Sequence, residues 1–217
     1  MSDSVSTKEK ARRKIRKSEV DLDNLWSEKE SVALESFKLY HSCMGFSCLN
    51  CGDQRNQIVN CLDCNELFCG NCDEQKHTSN PFHERVFFSK TRPGKQLLST
   101  EFIDHDGKIF VKSVGLVLRS TKCDKCQTLM YQNTSSEIHE VVTPKGMFNL
   151  NRIVFHCDTC SVDRKAEFTD FIVSGYFPGS PVSTKYLFSF DLLRLWRHFK
   201  YLTPADSAIH FDKILDG

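Results

Sequence analysis

The chain has 217 residues, 40% hydrophobic and 26% charged, with eleven cysteines and a formal net charge of +1. A molecule-wide basic field of the kind that grips DNA is excluded: residues 1–20 carry seven basic and three acidic side chains, so +1 less their +4 leaves −3 for residues 21–217. No apolar run reaches transmembrane length and MSDSVSTKEKARRKIRK offers no signal-peptide core. A disulfide framework and Asn133 as a glycan acceptor are therefore set aside in favour of reduced, metal-binding thiols.

In chain order, residues 1–25 read as a disordered basic tail in which Lys8, Lys10, Arg12, Arg13, Lys14, Arg16 and Lys17 fall within one decapeptide. Such a run serves as a phosphate-binding arm or a nuclear import signal, against the plain alternative of a solvated segment. Ser27 and Glu30 have capping-box spacing ahead of Val32, Leu34, Phe37, Leu39 and Tyr40, which predicts a helix within 26–45. Cys43 has no partner at Cys-x-x-Cys spacing and reads as a small buried thiol.

Residues 46–88 are turn-rich, and the Val and Phe residues of Arg85-Val86-Phe87-Phe88 are expected to close that module against its core. Residues 89–107, polar and holding Pro93-Gly94, read as a linker. Strand-like Ile109-Phe110-Val111 and Val114 to Leu118 lead toward Cys123, and Arg152-Ile153-Val154-Phe155 leads into Cys157, with a hairpin or loop excursion between. The string Gly175-Tyr176-Phe177-Pro178-Gly179-Ser180-Pro181 cannot continue a helix. Phe188, Leu192, Leu195, Trp196 and Phe199 then recur on one helical face, Thr203-Pro204 ends it, and a second short helix is expected over 205–215.

Ten cysteines form five Cys-x-x-Cys pairs, each able to place two sulfurs about 2.3 Å from one Zn²⁺. The run Cys48, Cys51, Cys61, Cys64, Cys69, Cys72, His77 and His83 supplies two sets of four. They pair either sequentially or as a cross-brace, Cys48/Cys51/Cys69/Cys72 and Cys61/Cys64/His77/His83. Cys123, Cys126, Cys157 and Cys160 make a third set, so three zinc sites are expected. Iron–sulfur is the rival for the four-cysteine sets; the histidines favour zinc. Four protein ligands close each site and leave no position for a reactive water, so the chain is read as not an enzyme. Asp63 and Glu66 read as exposed knuckle residues, and His139 and His156 as structural or solvated rather than ligands.

The spacing Cys-x2-Cys-x9-Cys-x2-Cys-x4-Cys-x2-Cys-x4-His-x5-His resembles the B-box zinc finger, which implies the cross-brace. In tripartite-motif proteins that finger serves protein association. Gly175 to Pro181 followed by Phe188-Ser189-Phe190-Asp191-Leu192-Leu193, just after a Cys-x-x-Cys, resembles the CxC-type cysteine clusters found ahead of KDZ transposases. The resemblances imply a small α+β, zinc-stabilised chain: a B-box-like module at 46–88, a zinc-ribbon-like module at 108–182 and a C-terminal helical segment at 183–217. The implied role is a nuclear, non-catalytic accessory module of a transposon-derived protein. DNA or chromatin would be met through the tail and the patches Lys90/Arg92/Lys95 and Arg119/Lys122/Lys125. The alternative is a protein-interaction scaffold; neither a membrane nor a small-molecule substrate is expected.

Overall fold

The computed structural model describes residues 22–38, 45–90 and 92–202. The basic run 8–17, Cys43 and the expected helix over 205–215 lie outside them. The chain divides at Gly45/Phe46 into two units.

The first unit holds one described helix, α1, over 22–38. Ser27 is not its N-cap: the helix is already under way at Leu22, and the Ser27 hydroxyl donates back one turn to the Asp23 carbonyl at 3.0 Å. A serine inside a helix makes this bond when no free N–H is left for it to cap. Every residue of α1 is exposed.

The second unit begins with β1 (Gln57–Cys61), β2 (Glu66–Phe68), α2 (Gly70–His77), β3 (Arg85–Ser89) and β4 (Arg92–Leu97). These strands form one antiparallel sheet in the order β2-β1-β3-β4. Val59 and Phe87 meet across β1 and β3 and bury with Leu97 and Ile103 in a small core. The expected linker at 89–107 is corrected here: it contributes β4 and β5 (Glu101–Ile103), which pairs with β6 (Ile109–Val111). Isolated apolar residues in a polar stretch hide this. Leu97, Phe102 and Ile103 are all buried, and together they hold the segment on the core.

The rest is built on a long hairpin, β7 (Tyr131–Thr143) and β8 (Gly146–Cys157), turning at Pro144-Lys145 and carrying an irregularity between Thr134 and Ile138. It continues through β9 (Val162–Lys165), α3 (Phe168–Val173), β10 (Tyr176–Pro178), β11 (Tyr186–Ser189) and α4 (Phe190–Leu202). The sheet order is β10-β11-β7-β8-β9, with β11 parallel to β7. Residues 114–118 form no strand, only a bridge from Gly115 to Asn151, yet Val114, Leu116 and Leu118 point inward in alternation as a strand's would. Phe188, expected on the helical face, lies in β11. The Ser189 hydroxyl accepts the Leu192 N–H at 3.2 Å and starts α4 after it.

The main core joins Leu150, Phe155, Phe171 and Leu187 to Phe102 of β5. Phe82 stands edge-on to Phe148 with ring centroids 5.1 Å apart, and Lys145 at the hairpin turn bonds Asp63. Asp63 thus ties the hairpin to the first sheet. It also accepts the Glu84 N–H at 2.6 Å, so this knuckle residue, exposed as expected, has a structural part as well.

His139 of β7 is buried in this core, its Nδ1 2.6 Å from the Thr184 carbonyl and its ring edge-on to Phe171. Burial lowers its pKa from 6.5 to about 4 despite that hydrogen bond. A histidine held neutral in the fold stabilises fully above its unfolded pKa, and the contribution drains away as pH falls from 6.5 toward 4. Between pH 7 and 5.5 the loss is on the order of 1 kcal/mol. Urea unfolding at pH 7 and 5.5 should show the wild type losing that much more than His139→Gln, acid release of metal being common to both. Equal losses would mean that His139 does not titrate between those values.

Candidate metal centres

Helix α2 explains why the first eight ligands interleave. Cys69 sits at its N-cap, Cys72 in its first turn and His77 at its last residue. Cys72 and His77 are five residues apart, about 140° around the helix, so they cannot serve one centre. Cys69 and Cys72 instead meet Cys48 and Cys51 from the turn before β1. His77 meets Cys61 at the end of β1, Cys64 in the β1–β2 turn and His83 before β3. Gly70 is required at the helix start because a Cβ there would run into the Ile103 carbonyl.

Within each set all four ligand atoms lie within 4.8 Å of one another. Cys51 and Cys69 sulfurs are 3.8 Å apart, and Cys64 Sγ stands 3.8 Å from His77 Nε2 and 3.3 Å from His83 Nδ1. A tetrahedron of ligands about 2.0–2.3 Å from a central ion has edges of roughly 3.3–3.8 Å. The third set pairs the Cys123/Cys126 knuckle with Cys157 at the end of β8 and Cys160 in the turn before β9; Cys126 and Cys157 sulfurs are 3.4 Å apart. Only the second of its knuckles is entered by a strand; a bridge from Lys122 to Leu129 flanks the first.

Chemistry agrees with geometry. The ten cysteines of the described residues are free thiols. In the third set, contacts with the side chain and backbone of Thr128 pull Cys126 down to about 6, while the Cys126 side chain and burial push Cys160 up to about 12. Cys126 and Cys160, so opposed, cannot both ionise at neutral pH without a cation beside them. These donor sets suit a tetrahedral ion with an affinity for sulfur and imidazole, as zinc has.

Four of the five cysteine pairs are followed at once by a residue in the left-handed region: Gly52 at φ 78°, Asn65 at 54°, Gln127 at 62° and Ser161 at 50°. That turn swings the chain back so that both sulfurs face one point. Only Gly52 and Asn65 advertise it in sequence, because glycine and asparagine enter this region readily. The fifth pair, Cys69/Cys72, is shaped by α2 instead.

The sequence reading missed the supports of the second centre. Asp73 and Arg85 are both buried, Arg85 Nη1 donating to Asp73 Oδ2 at 2.7 Å. Asp73 Oδ1 lies 2.8 Å from His77 Nδ1, off the line of a well-formed bond, and the same ring nitrogen is 3.1 Å from the Asp73 carbonyl. His77 therefore keeps Nδ1 toward Asp73 and Nε2 toward the ligand set, the orientation a metal-bound imidazole requires. Arg85 Nη2 also donates to the carbonyls of Leu98 and Glu101, at 2.6 and 3.0 Å, and its guanidinium lies 4.7 Å from the centre of the Phe102 ring. An Asp four residues before a ligand His on one helix was the available signal.

Other candidates resolve without metal. His156 pairs with Asp163 at 2.6 Å and belongs to none of the three sets. Asp104, His105 and Asp106 form an acidic turn in which Asp104 Oδ1 accepts the N–H groups of Asp106 and Lys108. Lys95 is neutralised by Glu101 at 3.1 Å, Lys90 lies over the Phe46 ring, and the Arg92 side chain is outside the description. Arg119, Lys122 and Lys125 are exposed and, among the described residues, make no ion pair.

The fold and its donor sets define a small α+β protein in which, among the described residues, three cysteine-rich sets of four could each hold a metal ion. Residues 109–216 match the family described as "CxC3 like cysteine cluster associated with KDZ transposases". The third centre lies inside that match, and the first two lie before it. No curated protein and no solved structure matches the chain.

Proposed function

We propose that the chain is a zinc-binding, non-catalytic accessory module of a KDZ transposase-like, transposon-derived protein, recognising DNA or a protein partner in the nucleus. The family match over 109–216 carries this reading. The three sets of four would each hold one zinc, which would neutralise thiolate charge and cross-link strands that bury few apolar residues. Every ligand position would be filled by protein, leaving none for an activated water. DNA would be met by the basic run 8–17 and by Arg119, Lys122 and Lys125. The second reading, a B-box-type protein-interaction module, is supported by the interleaving of the first two donor sets and by the many lysines and arginines already paired with carboxylates.

Fluorescence anisotropy of the zinc-loaded chain with a labelled DNA duplex tests the choice. The expected result is binding whose logarithm falls with log salt at a slope of about −0.9 per phosphate neutralised, so the seven basic tail residues cap their share near about −6. Removing residues 1–20 should abolish most of it, and any remainder should need Lys90, Arg92, Lys95, Arg119, Lys122 or Lys125. No binding at low salt would leave the protein-interaction reading in possession.

A further inference from the structure

Two strong hydrogen-bond donors away from the metal centres have no acceptor. Tyr176 of β10 is only 8% exposed, yet among the described residues its hydroxyl has no hydrogen-bond partner, which a buried phenol ordinarily finds. Burial pushes its pKa up to about 12, so it stays an O–H donor at any physiological pH. Arg119 is exposed. Its backbone N–H is held by the Ser174 hydroxyl at 2.9 Å, and its guanidinium makes no ion pair among the described residues.

Both residues belong to one cleft. Two hollows of about 540 and 400 Å³ share Phe82, Arg119, Ser174 and Tyr176 in their linings, and each size is within the roughly 300–1,000 Å³ of ligand sites. The first hollow brings apolar side chains of its own from Ile172, Val173 and Phe190, and the second from Pro81, Val117 and Leu118. Between them the Phe82 ring stands 6.3 Å from that of Tyr176 and is braced from the core by Phe148.

Charge decides the class of occupant. Lys145 and Arg194 also line the first hollow, but Lys145 is bonded to Asp63 and Arg194 to Asp191. That leaves Arg119 as the unopposed cation, whereas a nucleic-acid strand brings a phosphate with every nucleotide and is held by several cations. One carboxylate with an apolar group on either side fits better. The guanidinium and the phenol donate to its oxygens, and the apolar groups enter the two hollows. In an extended peptide, side chains on one face recur at every second residue, so the segment reads apolar-x-acidic-x-apolar. We propose that the cleft at Phe82 binds such a segment of a partner protein, with Arg119 and Tyr176 holding its carboxylate. This rests on the protein-interaction reading and withdraws Arg119 from the DNA-facing patch.

The probe is the peptide acetyl-Ser-Leu-Ser-Glu-Ser-Leu-Ser-amide, whose one carboxylate is that of its glutamate. Titrated into the isotope-labelled, zinc-loaded full chain, it should move the amide NMR signals of residues 117–119 and 172–176 saturably, with a Kd below about 1 mM. Glutamine in place of that glutamate, or Arg119→Gln in the protein, should weaken binding by about 10- to 100-fold. Tyr176→Phe, which keeps the ring and loses only the hydroxyl, should weaken it about tenfold with the metal content unchanged. No saturable shift up to about 2 mM peptide, or equal affinity for the glutamate and glutamine peptides, would overturn the proposal. Should the peptide fail, the duplex titration tells two failures apart. A duplex bound through Arg119 would overturn the protein-interaction reading along with the site, and no duplex binding would overturn the site alone.

Discussion

Cys61→Ala is expected to cost the chain one of three metals, and to do so at the centre that contains both histidines. Cys69→Ala should cost one metal at the centre made of four thiolates. A structural zinc contributes on the order of 10 kcal/mol, comparable with the whole stability of a small domain. Either loss should therefore melt the sheet β2-β1-β3-β4, whose small apolar core clusters Val59, Phe87, Leu97 and Ile103, with Ile58 and Phe68 buried besides. Native mass spectrometry would count the remaining metals. Cobalt substitution would tell the centres apart, because Cys61→Ala should leave only four-sulfur spectra and Cys69→Ala should keep the mixed sulfur–nitrogen one. Loss of a four-sulfur spectrum on Cys61→Ala would instead require sequential pairing of the ligands.

Asp73→Ala should be the most damaging substitution outside the ligands. It leaves the Arg85 guanidinium buried without its carboxylate, a loss of about 3–5 kcal/mol. It also releases the His77 ring from Asp73, which should weaken metal binding at the second centre by about 10- to 100-fold. Urea unfolding and chelator competition measure the two effects separately. The double substitution Asp73→Leu/Arg85→Met removes both charges and should recover much of the stability but none of the metal affinity. If Asp73→Ala matched wild type in chelator competition, the carboxylate would have no part in orienting His77.

The ligands were legible because coordination forces residue type and spacing: a two-residue gap between cysteines has few other uses at this density. The grouping of the first eight was not decided by spacing alone. It follows from Cys72 and His77 facing different ways on α2, which needs the helix boundaries. A strand with alternating residues, such as Gly146–Cys157, carries a periodic signal; β4 and β5 do not, since Leu97 in the one and Phe102 and Ile103 in the other hold them in place. The pairing of Asp73 with Arg85 was illegible for another reason, the place of Asp73 four residues before His77 hinting only at its contact with that ring. A charged residue in sequence looks like surface, and only the fold shows these two enclosed with each other. Ser27 misled because a hydroxyl can cap a helix end or fold back inside one, and the local sequence is the same for both.

Phe82 and Phe102 lie before the residues that match the transposase-associated family, yet both pack into the core those residues build. The boundary of the family match and the boundary of cooperative folding are then different lines on this chain. A gene exchange that moved residues 109–216 alone would deliver a fragment with the ring partners of Phe148 and Phe110 missing and Lys145 severed from Asp63. For descendants of such a cassette, the heritable unit would have to include either the preceding double-metal segment or a substitute for its two phenylalanines.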